Sequence, residues 1–446
     1  YNRKLARPLT FPFSRSFSSP LNGMDDILYG MWWDGSNDKV LFDGSPFNTK
    51  TKGRITGSFQ TSSSGYHNIW SLTDETDTGA DVSVYLNGGK FYLTVRTAPG
   101  VNIIYAHTDA ATFADGANHT FDVQVDASGN TFKVDGVTQA VTYVAGNSST
   151  VGWADDVDDI DILSVGIRQE STPDGVFDGV VRDLVLYDED GTTPLWSVNG
   201  YGNTDADWLD QGTGNYGMWF DGSTVGDIGD VSALELEDFD VSFTSTRGTV
   251  GAIRAQFSMQ SSAMSGQQCG AWLRWGAANK MEAYIVTGTN TMTLISSAAF
   301  TDTGIPANVR LTKNGTDVNL YVDGVVVNGT LPSATMDYTS SAKRTNLGVY
   351  TLNTGPTYTG NKADGLIRDV VVKTFAGVLV AQWDGHGNTN ADWTDKVGSN
   401  DVTLSATPSR AVSTATGWRE ANDGTVAGSP SRAVSTDGGT TWAEES

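Results

Sequence analysis

The chain of 446 residues has a single cysteine, Cys269, few basic residues and no long apolar run. One cysteine excludes an intrachain disulfide framework and any zinc site built from cysteines. The 28 Lys and Arg are outnumbered by 52 Asp and Glu, giving a net charge of −24. This balance argues against a nucleic-acid partner, because neutralising phosphates needs a surplus of positive charge. No apolar stretch approaches the roughly 18 residues that span a bilayer, so no membrane span is expected.

Glycine, tryptophan and apolar residues are plentiful. The chain has 51 Gly and 13 Trp, and apolar residues make up 38% of it, which is enough material for folded cores. Charged residues reach 18%, below the roughly 25% that is usual in globular proteins. At about 150 residues per domain, the length predicts two or three domains.

The sequence contains an internal duplication. Residues 29–36 read YGMWWDGS and residues 216–223 read YGMWFDGS, seven matches in eight positions. Two further pairs match in the same order: DGVVRD at 178–183 with DGLIRD at 364–369, and GYGNTDADW at 200–208 with GHGNTNADW at 385–393. The offset stays between 185 and 187 residues, which is too long for a solenoid repeat and fits a tandem domain duplication.

The duplication predicts four parts. They are an N-terminal arm (1–28), a first unit (29–215), a second unit (216–400) and a C-terminal arm (401–446). The GNT-x-ADW segments close each unit.

Both units have the pattern of β-structure. Short alternating or β-branched runs predict strands in the first unit at 54–59, 81–86, 91–96, 120–126, 131–136 and 180–187. Dipeptides that favour tight turns separate such runs: Asn87-Gly88, Asp115-Gly116, Ser128-Gly129, Asp135-Gly136, Asp178-Gly179, Asn314-Gly315, Asp323-Gly324 and Asn328-Gly329. No stretch has a convincing helical period, so an antiparallel sandwich or jelly roll is predicted.

Three segments resemble laminin-G-like, concanavalin A-like lectin and glucanase domains. The first is W-x-DGS-x-D-x-V, carried by Trp32, Asp34, Gly35, Ser36, Asp38 and Val40. The others are the hairpin from Asn314 to Val325 and the strand DG-x-[VI]-RD-[LV]-V at Asp178–Val185 and Asp364–Val371. The resemblance implies an all-β fold of two tandem jelly-roll sandwiches. Such domains occur in adhesins, in glycan-binding modules, in some glycosidases and on the surfaces of bacteriophage particles. The fold alone therefore does not decide which of these functions applies.

Catalysis is not expected. A glycosidase needs two carboxylates that flank the scissile bond, and the only stretch similar to the glucanase pattern is LELEDFDVS at 234–242. Alternation would place Glu235 and Glu237 on one face of a strand, but the third carboxylate of the pattern is missing. We interpret the stretch as an acidic edge or turn, and a glycosidase stays the third alternative.

Calcium is the one cofactor for which the sequence offers candidates. Asp155, Asp156, Asp158, Asp159 and Asp161 form an acidic run, and calcium takes six to eight oxygen ligands. The run is not an EF-hand loop, and the second unit has no counterpart. A solvated loop kept extended by charge repulsion is the alternative.

Carbohydrate binding uses aromatic faces in a groove together with a few polar groups. The candidates are Tyr66 and Trp70 in GYHNIWSL, and Trp272 and Trp275 in AWLRW. Core positions are the alternative interpretation for each. Because Trp272 and Trp275 lie three residues apart, they face opposite sides of a strand, and one of the two is expected to be exposed.

The two arms have unusual compositions. Residues 1–24 carry a net charge of +4 and no acidic residue, and they hold the predicted assembly residues Arg3, Lys4, Arg7, Phe11, Phe13 and Arg15. The C-terminal arm contains PSRAVST twice, at 408–414 and 430–436. By composition both arms are predicted to be disordered alone and to be ordered by neighbouring subunits, through docking of the basic arm on acidic bodies or through β-augmentation.

These observations favour a non-enzymatic structural protein on a virion surface, decorating the capsid or tail or forming a fibre. Its expected partners are other virion subunits, copies of itself and cell-surface glycans, which it would bind weakly. The runner-up is a secreted adhesin or carbohydrate-binding module.

Overall fold

The computed structural model describes residues 28–445, except for 78, 214, 263–267, 288–289, 333–334, 337–341, 350–361, 407, 415–416 and 436–440. The described residues form β-strands and short 3-10 turns, and the predicted all-β fold of two tandem antiparallel sandwiches is confirmed. The N-terminal assembly residues from Arg3 to Arg15 lie outside this part of the chain.

In the part of the chain that the structure describes, the first sandwich is built from these strands up to the end of the first unit: β1 Leu28–Asp34, β2 Lys39–Asp43, β3 Gly53–Gln60, β4 His67–Thr73, β5 Asp81–Asn87, β6 Lys90–Ala98, β7 Val101–Thr108, β8 Asn118–Val125, β9 Thr131–Val134, β10 Val137–Thr138, β11 Val141–Ala145, β12 Ile162–Val165, β13 Asp178–Tyr187 and β14 Pro194–Val198. Its 3-10 turns are Ser45–Phe47, Ala154–Asp156 and Asp205–Asp207.

The described residues of the second unit form these strands of the second sandwich: β15 Tyr216–Asp221, β16 Gly226–Gly229, β17 Phe239–Ser245, β18 Arg254–Ser262, β19 Gln268–Trp275, β20 Met281–Thr287, β21 Asn290–Ile295, β22 Ala307–Asn314, β23 Asp317–Val322, β24 Val325–Thr330, β25 Ala342–Leu347, β26 Asp364–Thr374 and β27 Leu379–Trp383. Its 3-10 turns are Ser232–Leu234 and Asn390–Trp393.

Six further strands follow in the C-terminal segment: β28 Thr403–Leu404, β29 Ser409–Ser413, β30 Trp418–Glu420, β31 Thr425–Ala427, β32 Ser431–Ser435 and β33 Ala443–Glu444. This segment was predicted to be an arm ordered by neighbouring subunits. Instead, its strands complete all four sheets of its own chain. The reason is that each of its two SRAVS stretches pairs with an edge strand and turns its small alanine inward, so that Ala411 and Ala433 are fully buried.

Each sandwich is made of two antiparallel sheets. Sheet I has the order β10-β9-β8-β3-β13-β1-β32-β33, with β14 also on β13, and sheet II has the order β11-β7-β6-β5-β4-β12-β2-β31. Sheet III has the order β24-β23-β22-β17-β26-β15-β29-β30, with β27 also on β26, and sheet IV has the order β21-β20-β19-β18-β25-β16-β28. One apolar core, from Met31 to Trp208, lies between sheets I and II, and another, from Met218 to Val402, lies between sheets III and IV.

The alternation of apolar and polar residues decides which face of each strand enters the core. In β5 and β6 the residues Val82, Val84, Leu93 and Val95 are fully buried in the core of the first sandwich. Their neighbours in sequence therefore point to the outer face of sheet II, where the candidate site lies.

Two of the predicted turns lie inside strands. Asp178-Gly179 belongs to β13 and Asn328-Gly329 belongs to β24. At Gly179, φ is +134°, and a Cβ atom would lie 2.0 Å from the carbonyl oxygen of Gln60. This glycine therefore permits a close approach of two backbones. Asp135-Gly136, in contrast, is the predicted hairpin turn, with φ of +54° and +73°.

Within the described part of the chain, no helix has the length and apolar character needed to cross a membrane.

Candidate functional site

Two of the four aromatic residues predicted to contact glycans are core residues. Trp70 is fully buried and stacks on Trp153, with 6.1 Å between the ring centroids. Trp275 is 1% exposed and meets the ring of Phe300 edge to face. Neither therefore presents a ring face to solvent.

The other two, Tyr66 and Trp272, are only partly buried. Tyr66 lies beside an aromatic pair on the outer face of sheet II, and Trp272 belongs to an aromatic pair on the outer face of sheet IV. In sheet II, Tyr85 on β5 lies directly opposite Tyr92 on β6, and their rings stack at 4.9 Å. In sheet IV, Trp272 on β19 lies directly opposite Tyr284 on β20, and their rings stack at 5.3 Å. The duplicated units thus carry a stacked cross-strand aromatic pair on corresponding strands.

A groove of about 230 Å³ lies on the outer face of sheet II. We call it the tyrosine groove. Its lining residues come from the loop before β4, from β5, β6 and β7, and from the segment after β12: Tyr66, Tyr85, Asn87, Thr94, Arg96, Gly100, Asn102, Tyr105 and Arg168. The Tyr66 ring stands edge-on to Tyr85, with a centroid distance of 4.9 Å, so the aromatic surface continues from the loop onto the sheet.

Three carboxylates, of which Asp81 and Glu170 are buried, hold the two arginines of the groove in place. The Arg96 guanidinium pairs with Asp81 and, at 3.2 Å, with Glu170. Arg168 pairs with Glu170 at 3.3 Å and with Asp174. Burial raises the pKa of the Glu170 carboxyl, which Arg168 partly offsets. Two guanidiniums thus face three carboxylates, and the cluster has no surplus of positive charge.

Two hydroxyl groups in the groove are buried without a hydrogen-bond partner among the described residues. They are Tyr66 Oη and Thr94 Oγ1. Burial also raises the pKa of Tyr66, so this hydroxyl stays protonated and can donate. A buried hydroxyl without a partner costs about 1–3 kcal/mol, and each such group in a folded protein needs an explanation. Both residues line the tyrosine groove, and the two oxygen atoms themselves lie beneath its surface.

On the corresponding surface of the second sandwich, the tyrosine hydroxyl is hydrogen-bonded. The Tyr284 hydroxyl accepts a hydrogen bond from Arg274 Nη2 and donates one to Glu282 Oε2 at 3.1 Å. Arg274 also donates through Nε to Glu282 at 2.8 Å and lies over the Tyr284 ring. The two outer faces therefore share an aromatic pair but differ in their polar groups.

The sequence-based search found Tyr66 but missed most of the groove. The signal that could have found it is the alternation in DVSVYLN and KFYLTVRTA, which places Tyr85, Thr94 and Arg96 opposite the core-facing valines and leucines. Arg168 had no such signal, because it follows β12 in a segment without a regular pattern.

The acidic residues that were candidates for calcium lie along an exposed segment around the turn Ala154–Asp156. Asp156 Oδ2 accepts the backbone N–H of Trp153, and Asp161 Oδ1 accepts that of Glu75. In the described part of the chain, no three His, Cys, Asp or Glu side chains come together in a group that could hold a metal.

The glutamates considered for catalysis do not share a strand face. Glu235 follows the turn Ser232–Leu234, and both it and Glu237 precede β17. Glu237 Oε2 accepts the backbone N–H of Met336 at 2.7 Å. The alternation argument for this pair fails because the chain turns here.

Comparison with known proteins yields likenesses of overall fold. No protein-family model and no curated protein matches the sequence. Domains LG4-5 of the mouse laminin α1 chain are 14% identical with a TM-score of 0.29, and the match covers 81% of this chain and 93% of that one. A candidate carbohydrate-binding protein from Bacteroides ovatus is 11% identical with a TM-score of 0.30, over 86% of this chain and 88% of that one. The CBM40 of the Ruminococcus gnavus IT-sialidase, bound to α2,6-sialyllactose, is 15% identical with a TM-score of 0.29, over 34% of this chain and 87% of that one. At such identities and scores these likenesses carry no argument about what the chain binds.

Proposed function

We propose that this chain is a non-enzymatic glycan-binding protein whose first sandwich binds a neutral saccharide in the tyrosine groove. The observation that carries the proposal is a pair of buried hydroxyls on residues that line this groove, Tyr66 Oη and Thr94 Oγ1, which have no hydrogen-bond partner among the described residues. A saccharide hydroxyl donates one hydrogen bond and accepts two, so it can pair with a group of this kind once a side-chain rotation brings the buried oxygen to the groove surface.

The aromatic surface supports the same ligand class. The rings of Tyr66, Tyr85 and Tyr105 line the groove, and the C–H face of a sugar ring packs on aromatic surface, as apolar groups do in most ligand sites. The volume of about 230 Å³ is below the roughly 300–1,000 Å³ of pockets for drug-sized ligands. We therefore infer that one sugar ring enters the groove and the rest of a glycan stays outside.

The charges of the site favour a neutral sugar over an acidic one. Arg96 and Arg168 already pair with Asp81, Glu170 and Asp174. An anionic sugar would have to compete with these carboxylates and would meet their repulsion. The net charge of −24 adds to this repulsion at long range.

The experiment is a glycan array with the full chain, followed by titration of the best neutral ligand against Thr94→Val. Valine keeps the shape of the side chain and removes the hydroxyl. Loss of about 1.4 kcal/mol of hydrogen bonding corresponds to about tenfold weaker binding. The matched control is Thr293→Val, on the outer face of β21 opposite Tyr284, which should leave the affinity unchanged. The proposal would be refuted if no neutral glycan on the array bound the protein, or if Thr94→Val bound the best ligand with the same affinity as the wild type.

The location of this protein on a virion surface remains a prediction from the sequence alone. It depends on the basic arm (1–28), most of which lies outside the described residues. It predicts that the protein copurifies with particles at fixed stoichiometry, and that trimming residues 1–24 abolishes incorporation. Full incorporation of the trimmed chain would contradict it.

A further inference from the structure

Each half of the C-terminal segment places an SRAVS strand on the edge of one sandwich. We call Ser409–Ser413 with Trp418 the first clip, and Ser431–Ser435 with Trp442 the second clip. The first clip pairs with β15 of the second sandwich, and the second clip pairs with β1 of the first sandwich. The chain therefore returns to its own first strand before it ends.

The two clips dock in the same register. The first places Ser409, Arg410, Ala411 and Val412 opposite Trp219, Met218, Gly217 and Tyr216. The second places Ser431, Arg432, Ala433 and Val434 opposite Trp32, Met31, Gly30 and Tyr29. Because clip and edge are both duplicated in sequence, the same residue types face each other at every position.

The arginine contacts of the clips are repeated as well. Arg410 lies 4.9 Å from the centroid of the Tyr216 ring, and Arg432 lies 3.8 Å from that of Tyr29. These cation–π contacts fix each clip at the start of the edge strand.

Each clip ends on a tryptophan that covers an arginine of the neighbouring strand. The Trp418 ring lies 4.8 Å from the Arg368 guanidinium, and the Trp442 ring lies 4.4 Å from that of Arg182. A Cβ atom at Gly30 would come within 3.3 Å of the Trp442 ring, so the glycine leaves room for it. The edge strand, its glycine and the arginine thus form a receptor for a strand that carries a tryptophan.

We propose that these two edges are one strand-acceptor site in duplicate, and that it also binds the second clip of another copy of this chain. The heptapeptide PSRAVST is identical in both clips, so the contacts with the edge do not depend on which clip fills it. A clip from a second copy offers the same backbone hydrogen bonds and side chains as its own, which is the condition for strand exchange between identical chains.

Of the two clips, the second is expected to exchange more readily between two copies of the chain. It follows Gly428-Ser429-Pro430, where Gly428 has φ of +96°. Its apolar cluster is similar in size to that of the first clip, and two hydrogen bonds between the Trp442 backbone and the Gln60 side chain hold it to β3. The two clips differ in their ion pairs. Arg432 of the second clip pairs with Glu445 in an exposed contact within the C-terminal segment. In the first clip Arg410 pairs with Asp423, and Arg419, which follows the clip, pairs with the fully buried Asp210. Docking within one chain corresponds to an effective concentration on the order of millimolar. Exchange is therefore minor in dilute solution and grows with chain concentration.

Disulfide trapping in full-length protein tests the exchange. In a Cys269→Ser background, one preparation carries Tyr29→Cys and another carries Val434→Cys. These positions face each other across an antiparallel pair, where Cα atoms lie about 4.5–5.5 Å apart, within the range of a disulfide. A third preparation carries Tyr216→Cys, which occupies the same position in the other acceptor.

Mixing Val434→Cys with either acceptor variant should give covalent dimers linked between the two substituted positions, with a yield that rises with chain concentration. Each variant alone reports the background. A chain with both Tyr29→Cys and Val434→Cys should close on itself at low concentration, and its failure to close would overturn the register on which the proposal rests. Dimer yields no higher than background overturn exchange. Dimers with Tyr29→Cys but not with Tyr216→Cys overturn the equivalence of the two sites.

Discussion

Replacing Tyr66 by phenylalanine should make the ligand-free protein more stable. The Tyr66 hydroxyl is buried and has no hydrogen-bond partner in the part of the chain that the structure describes, and such a group costs about 1–3 kcal/mol. Phenylalanine keeps the ring, and with it the edge-on contact with Tyr85 at 4.9 Å. The free energy of unfolding of the first sandwich should therefore rise by about 1–3 kcal/mol, while glycan binding weakens.

Tyr284→Phe in the second sandwich is the matched control, with the opposite sign. The Tyr284 hydroxyl is hydrogen-bonded to both Arg274 and Glu282. Its removal should lower the stability of the second sandwich by about 1.5–3 kcal/mol, the range for hydrogen bonds to charged groups. The two variants make the same chemical change on corresponding faces, so the different outcomes isolate the effect of the missing partner.

The assay must resolve the two sandwiches, because a chain with two cores does not unfold as a single two-state unit. Hydrogen exchange with mass spectrometry does this: peptides from β5 and β6 report the first sandwich, and peptides from β19 and β20 report the second. Slower exchange in β5 and β6 of Tyr66→Phe is expected. If that variant exchanges faster, the hydroxyl has a stabilising partner, and the argument for a ligand in the groove fails.

Three further changes have defined outcomes. Gly179→Ala should destabilise the first sandwich by about 1–3 kcal/mol, since φ is +134° and the new Cβ would meet the Gln60 carbonyl; an unchanged melting temperature would contradict this. For Asp221, burial is outweighed by hydrogen bonds from Ser223 and Thr224, which lower its pKa to about 2 from 3.8. The stabilisation is therefore present above pH 3.8 and lost as the pH falls toward 2, so acid titrations of the wild type and Asp221→Asn should differ at neutral pH and converge at the acid end. Trp442→Ala should speed amide exchange in β1 but not in β15. If the substitution leaves the amide exchange rates of β1 unchanged from the wild type, the second clip does not protect this edge strand.

The fold could be predicted from the sequence because its signals are local. Alternation located β3, β5, β6, β8 and β13 within a few residues, and Asp135-Gly136 gave a hairpin turn as predicted. The same dipeptide logic failed at Asp178-Gly179, where the glycine serves a contact with Gln60, more than a hundred residues away in the chain. A turn dipeptide indicates that the backbone can adopt a positive φ, but it does not indicate which turn or contact requires that conformation.

The candidate site was harder to predict from the sequence than the fold, because its residues come from distant segments of the chain. The pairing of β12 with β4 brings Arg168 next to Tyr66, and no local sequence pattern reveals this pairing. Among the tryptophans, alternation correctly indicated that Trp272 and Trp275 face opposite sides, but only the packing shows that Trp275 is the buried one. The C-terminal clips were missed because polar composition was interpreted as disorder, although one small buried residue, Ala411 or Ala433, together with backbone pairing suffices for each edge strand.

The pairing of β1 with β32 has a consequence for synthesis. The first sheet of the protein is completed by a strand that begins at Ser431, almost at the end of the chain. At about 5–20 residues per second, the ribosome needs tens of seconds after β14 to supply it. During that time β1 is an open sheet edge, the kind of surface that pairs with other chains. We therefore expect that nascent chains on one polysome, whose β1 edges are exposed close together, depend on chaperones or on a low initiation rate to avoid pairing with each other before they are finished.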